Sequence, residues 1–333
     1  MATNSLKYRL SSGKNSKLRY YIRGYSQYIT PKALLLKTLP RLLHEASQRA
    51  DYSYMRERVD YYCKLNGFTP LPPTLPTLAE HHPTHPKVYF FDTHEYTRFF
   101  PQQYQWGFCP GDVTFVPEVP SIVKSRPLTQ DNQNSVVMKL DKIRHFIFLH
   151  DSLDYQKKED RLIFMGKVPG KPIREDFMNR FRLHPMIEAG DVSGDPSIPS
   201  EWSKPKMTLS EHFKYKFILA LEGIDVASNL KWVMNSNSIA VMPEPTCESW
   251  FMEGRLIPNY HYIRIEEDFS DLEDRLNYYL SHPMEAEQII QHAHEYTQQF
   301  KDKRREKLIS LMVLDKYFSH TGQSLHTTLF PCK

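Results

Sequence analysis

Residues Lys214–Pro245 read KYKFILALEGIDVASNLKWVMNSNSIAVMPEP, and this stretch decides the fold class. KYKFILAL is an apolar run of strand length, and SIAVM is a second one. Between them EGIDVASN gathers a glycine, two carboxylates and small side chains, and LKWVMN continues as a helix. Strand, tight turn, helix, turn, strand is the unit that joins two parallel strands. In an open sheet of such units, ligands collect beyond the carboxyl ends of the strands, where helix N-termini point. A helix starting near Asp225 would offer unpaired N–H groups there, and Gly223, Ala227 and Ser228 would let a bulky ligand reach the backbone. An ordinary N-cap by Asp225 is the plainer reading of the same residues.

The same rhythm extends both ways. RLIFMGKVPGKPIREDFMNRFRLHP (161–185) reads as strand, basic loop and helix, with Gly166 and Lys167 directly after the strand. HYIRIE (261–266) reads as a strand, SDLEDRLNYYLSH (270–282) as an amphipathic helix, and residues 283–318 as helical nearly to the end. Two strand ends carrying Gly, Lys and small residues point to a nucleotide diphosphate. Toward the N-terminus the pattern changes. Residues 31–66 have helical spacing around a break at Pro40, and a proline-rich connector fills 69–86. KVYFFD (87–92) reads as a buried strand ending in a carboxylate, residues 100–128 as short strands and loops, and residues 134–151 as helix leading into strand. The exposed turn YQKKED sets the expected boundary between domains 1–157 and 158–333.

At 333 residues two domains are the natural expectation. No apolar run approaches the about 18 residues of a membrane span, and the N-terminus lacks the apolar core of a secretory signal. Four cysteines lie far apart without a CxxC pair, which speaks for a reducing cytoplasm rather than a disulfide framework or a zinc site. The histidines of AEHHPTHP and QHAHEY have no metal-ligand spacing, and no strict D-x-D pair occurs, so no metal is expected. Residues 1–64 carry 13 Lys/Arg against 4 Asp/Glu, and this basic arm suits an anionic surface. No nucleic-acid module accompanies it.

Asp92 is the first candidate general base, with His94 and Glu95 beside it and Asp112 in CPGDVT as a further candidate. Glu248 and Glu253 flank Trp250 and Phe251, an arrangement that could bind sugar hydroxyls while a ring supports an apolar sugar face; helix-surface glutamates with a core aromatic pair are the plainer reading.

Lys214–Pro245, followed by ESWFMEGRLIPNYHYIRIEEDFSDLEDRL (248–276), resembles the C-terminal half of glycosyltransferase family 90. Looser similarity runs back through RLIFMGK, KLDKIRHF and KSRPL to KVYFFD, and VPEVPSIVKSRP is most similar to the bacterial lipopolysaccharide branch. The resemblance implies a GT-B architecture, two Rossmann-like domains facing across a cleft, with the nucleotide sugar on the C-terminal one. It implies metal-free inversion on a UDP-sugar, with lipopolysaccharide core or a related glycan as acceptor, and a cytoplasmic enzyme peripheral to the inner membrane face. The family's base follows a strand in a VRDYP-like context, which places the role on Asp92. Its FRGS loop falls on Gly166 and Lys167 with Met165 in place of arginine, and its ASFR turn puts Asn229 where the diphosphate-binding arginine stands. Lys231, Lys124 or Arg126 would then supply the missing charge. A catalytically silent glycan- or nucleotide-binding protein on this fold is the alternative.

Overall fold

The apolar runs of the C-terminal half become strands of one parallel sheet. The computed structural model describes residues 12–323 and 328–331. Among them, five strands lie in the spatial order Ile263–Arg264, Ile239–Met242, Tyr215–Leu219, Glu159–Gly166, Ile187–Asp191. Every neighbouring pair is parallel, with Leu162 opposite both Phe217 and Ile187, and Phe217 opposite Ile239. Tyr215–Leu219 and Ile239–Met242 are buried at every position. Strands covered on both faces are continuous apolar runs rather than alternating ones, which is why this half was legible. Leu162, Phe164, Phe217, Leu219 and Val241 form the core with Phe177 of helix Pro172–Phe181, Leu276 of Leu272–Ser281 and Ile289 of Pro283–Gln298. Each such side chain contributes about 1.5–3 kcal/mol by leaving water.

In chain order the sheet starts in Glu159–Gly166, steps outward to the edge strand Ile187–Asp191, then returns to Tyr215–Leu219 on the other side of the first strand. The direction of winding therefore reverses between Glu159–Gly166 and Tyr215–Leu219. That reversal is the switch point of the sheet, and doubly wound sheets bind ligands beyond the strand ends at such a point.

The chain divides into two compact units that interleave in sequence. The sheet unit holds residues 12–15, 144–245 and 254–299; the other holds 16–143, 246–253 and the C-terminal residues from 300 onward. Helix Lys303–His320 counts with the second unit because it is buried over almost its whole length, with contacts to helices Leu39–Ser47, Tyr52–Tyr62 and Lys87–Thr97. Asp302 starts it by accepting from the Arg304 and Arg305 N–H groups at 2.9 and 3.0 Å. The second unit also has a three-stranded parallel sheet, Gly107–Cys109, Ser121–Val123 and Ser135–Val137, and pairs Ser125–Pro127 antiparallel with Cys247–Ser249.

Three expectations are corrected. KVYFFD is not a strand but the start of helix Lys87–Thr97, packed between Lys17–Tyr28 and Lys303–His320. Its residues 89–94 are all buried, so no face alternates and the run carries no period to read. Residues 134–151 run strand first, Ser135–Val137, then a single helical turn, Lys142–His145. The break expected around Pro40 is present: helix Lys32–Leu36 ends before it, and Pro40 lies in the first turn of the next helix, Leu39–Ser47, where its missing N–H costs nothing. The helix of the opening stretch is only Leu230–Val233, and Gly223 to Ser228 form the turn before it.

Candidate functional site

Two loops of the sheet unit follow the strand ends at this reversal. Strand Glu159–Gly166 ends on a glycine where a methyl group would meet the Phe164 ring at 2.8 Å and Nη1 of Arg174 at 3.6 Å. Beyond Tyr215–Leu219, a methyl group on Gly223 would meet Nη2 of the same arginine at 3.2 Å and Cε of Lys171 at 3.4 Å. Both expected glycines therefore give room to one cation. Arg174 comes from helix Pro172–Phe181, one turn after a loop that Gly170 reverses at φ 68°. Its Nη1 donates to the Lys167 carbonyl at 2.9 Å, its Nη2 to Leu221 at 2.7 Å and its Nε to Glu222 at 3.2 Å.

Arg174 thus stitches the two loops together through neutral carbonyls. No carboxylate pairs with it among the described residues. Burial alone lowers its pKa to about 10, the mark of a cation short of a counter-charge. A guanidinium has five N–H donors, and three are engaged, so two remain for a ligand. Lys167 is exposed beside it, and Lys171 is half-buried with its ammonium on the Pro169 carbonyl at 3.1 Å. Asp191 anchors the loop from beneath: buried, it accepts from the Val168 N–H at 2.9 Å and the Ser193 N–H at 2.9 Å. The chemistry on offer is capture of a bidentate anion such as a diphosphate.

Arg174 is not legible from the residues adjoining either strand end: it sits eight positions after Gly166 and returns only through the helix turn.

Of the other expected donor residues, Asp225 and Ala227 are buried and Ser228 is half-buried in the turn. Asn229 donates to the Leu219 carbonyl at 3.0 Å and so braces the strand end. Lys231 is fully buried on the one-turn helix, too short to present a helix-dipole anion site.

Lys124, Arg126, Glu248 and Glu253 belong to the second unit, and their partners there explain them. Arg126 is fully buried; its Nε reaches Glu248 at 2.7 Å, and its Nη atoms reach the carbonyls of Ser135 at 3.1 Å and Tyr61 at 2.7 Å. Tyr61 donates to the other Glu248 oxygen. Glu253 accepts from the Ser249 N–H at 2.6 Å and hydroxyl at 2.9 Å. These two glutamates are neither helix-surface residues nor open to a sugar: both are buried, on strand Cys247–Ser249 and on the turn Glu253–Arg255. Trp250 is no sugar platform either. It is 1% exposed, stacked on Tyr62 at 3.9 Å, and its Nε1 donates to Glu306 at 2.6 Å.

Two carboxylates of the second unit compare directly. Asp92 lies mid-helix at 1% exposure and accepts from the Tyr20 hydroxyl at 2.8 Å and the Lys142 N–H at 3.0 Å, with the Lys142 ammonium at 3.3 Å. Burial pushes its pKa up, against the pull of Lys142 and both hydrogen bonds. Asp112 lies just past the strand Gly107–Cys109, keeps 28% of its side chain exposed and pairs with the ammonium of Lys124, which directly follows the neighbouring strand Ser121–Val123. The Val113 N–H binds the Ser125 hydroxyl at 3.2 Å, which joins these two strand ends. A partly exposed aspartate beyond a parallel strand is the arrangement expected of Asp92, and the structure gives it to Asp112.

Among the described residues no three His, Cys, Asp or Glu side chains group as metal ligands. No described helix is long and apolar enough to cross a membrane.

Comparison with known proteins bears on the chemistry. Residues 137–317 match Glycosyl transferase family 90. The chain is 36% identical over 306 residues to the O-glucosyltransferase LpsA of Dichelobacter nodosus, covering 91% of this chain and 95% of that protein.

Proposed function

The chain belongs to glycosyl transferase family 90 and is a glycosyltransferase, and from that premise we propose that it moves glucose from a UDP-sugar to the core of lipopolysaccharide or a related surface glycan. The observation that carries the donor half is Arg174, a guanidinium without a carboxylate partner among the described residues, held at the winding reversal by the carbonyls of both flanking loops. The name of the Dichelobacter relative supports the glucosyl group and the acceptor class. In this reading the architecture is GT-B, with the donor on the sheet unit and the acceptor on the other. The enzyme works without a metal, on the cytoplasmic face of the membrane.

The reaction is a single displacement. The acceptor hydroxyl attacks the anomeric carbon, the bond from that carbon to the diphosphate oxygen breaks, and the configuration inverts. The hydroxyl proton passes to the Asp112 carboxylate. The electron pair of the broken bond stays on UDP, whose growing charge is met by Arg174 with Lys167 and Lys171. Gly166 and Gly223 make room for Arg174 beside the diphosphate, and the turn from Asp225 to Asn229 supplies the far wall of the donor pocket. Asp92 is a second reading for the base, favoured by its raised pKa.

Titration with UDP, GDP and CMP, read as a rise in melting temperature, tests the donor reading, because stabilisation follows the ligand's affinity. A selective UDP response is expected. Loss of a charge-assisted hydrogen bond costs about 1.5–3 kcal/mol, so Arg174→Ala should weaken UDP roughly 10- to 100-fold. An unchanged UDP affinity in that variant would remove Arg174 from the site.

A further inference from the structure

Helix Lys17–Tyr28 has two apolar faces, and the fold uses one. Its inner face is fastened to helix Lys87–Thr97. Gly24 lies so close that a methyl group there would meet the Phe91 ring at 2.7 Å, Tyr20 binds Asp92, and Tyr28 meets the rings of Phe90 and His94 edge-on. Arg23 adds an ion pair with Glu95 at 2.6 Å. The outer face carries Leu18, Ile22, Tyr25 and Ile29, which are 71, 60, 43 and 80% exposed. Their spacing of four, three and four aligns them in one stripe along the helix and its C-cap. Isolated exposed apolar residues need no explanation, but an aligned row on a helix already anchored by its other face does.

The charge around the stripe says what covers it. Between Ser12 and His44 there is no Asp or Glu, while Lys14, Lys17, Arg19, Arg23, Lys32, Lys37 and Arg41 are all cationic. Six of these seven are exposed, and Lys32 is half-buried. On the helix itself Arg19 and Arg23 lie next to the stripe, and Lys87 reaches the Tyr25 hydroxyl at 2.9 Å. A second copy of the chain would set cations against cations. An apolar stripe edged by lysine, arginine and tyrosine matches a bilayer with anionic headgroups, where the stripe enters the acyl boundary and the cations stay with the phosphates.

We propose that helix Lys17–Tyr28 is an in-plane membrane anchor that docks the enzyme on anionic lipid through Leu18, Ile22 and Ile29. The inference rests on the membrane-side acceptor of the proposed function, and it assigns the contact to one helix face instead of to the basic arm at large.

Cosedimentation of the full-length protein with phosphatidylglycerol/phosphatidylcholine vesicles and with phosphatidylcholine vesicles tests it. Binding to the anionic vesicles, weakened by salt, is expected. The triple variant Leu18→Ser, Ile22→Ser, Ile29→Ser should partition at least tenfold less, with unchanged melting because all three side chains already face water. Arg19→Gln should lower binding to the anionic vesicles alone. The proposal is overturned if wild type ignores the anionic vesicles or if the triple variant binds them equally well. It is also overturned if the triple variant only converts a dimer to a monomer or releases an acidic protein. UDP-induced stabilisation, measured on the same samples, separates the two readings. For wild type, no binding to the anionic vesicles with an intact UDP response defeats the anchor alone, and the reverse defeats the donor site alone.

Discussion

Asp112→Asn is expected to lower glycosyl transfer by roughly 10²–10⁴-fold, the range a positioned general base contributes, while UDP affinity stays at its wild-type value. The substitution preserves shape and removes the proton acceptor. Asp112 is partly in water, but its partner Lys124 is buried, so a lowered melting temperature is expected beside the loss of transfer, which is therefore read per folded molecule. Asp92→Asn is expected to behave the opposite way in transfer. Asp92 receives the Tyr20 hydroxyl, the Lys142 N–H and the Lys142 ammonium in a site 1% exposed, so an amide there leaves Lys142 with Glu95 as its remaining carboxylate. That variant should melt earlier yet retain activity per folded molecule. Steady-state transfer and thermal unfolding on both variants decide the matter. An active Asp112→Asn beside an inactive, normally folded Asp92→Asn would return the base to Asp92.

The largest loss of stability is expected from Glu306→Gln. Glu306 is the carboxylate of a buried network in the second unit: Arg58 at 2.5 Å, Lys139 at 3.0 Å and the Trp250 indole N–H at 2.6 Å. Arg58 also donates to the Tyr62 hydroxyl at 2.7 Å, and that hydroxyl donates on to the Trp250 carbonyl at 2.8 Å. An amide keeps the shape but leaves two cations without the charge they face. Removing one partner of a buried ion pair costs about 3–5 kcal/mol. Chemical denaturation should show a loss of that size, and a change under about 1 kcal/mol would mean that water or another carboxylate already compensates the cations.

Acid should reach the same group. Burial alone would raise the Glu306 pKa, but Lys139 and Arg58 hold it down at about 2, against an ordinary 4.5. Its folded pKa is depressed, so its contribution is complete above about pH 4.5 and is lost as pH falls toward about 2. In Glu306→Gln the acid side of the stability profile should be flatter across that window, which denaturation at stepped pH would show.

The sequence by itself determined the α/β character of the C-terminal half and its family resemblance. Strands such as Tyr215–Leu219 and Ile239–Met242 are buried on both faces, so they announce themselves as unbroken apolar runs between turn residues. It also marked Gly166, Lys167 and Gly223, because small and basic residues follow two strands of an α/β sheet there. The tertiary structure alone decided three things. It turned 87–97 into a helix, since a segment buried on every side carries neither a period of two nor one of 3.6. It bound Arg126 to Glu248 across 122 residues, which took both from the donor site and made them part of the second unit's interior. And it returned Arg174 to the end of the strand it had left eight residues before, where two loops far apart in sequence share it. Local pattern reports what a residue's neighbours in the chain require of it. The counter-charge of a guanidinium or a carboxylate is settled by whichever partner the fold brings within about 3 Å, and that partner leaves no trace in the residues beside it.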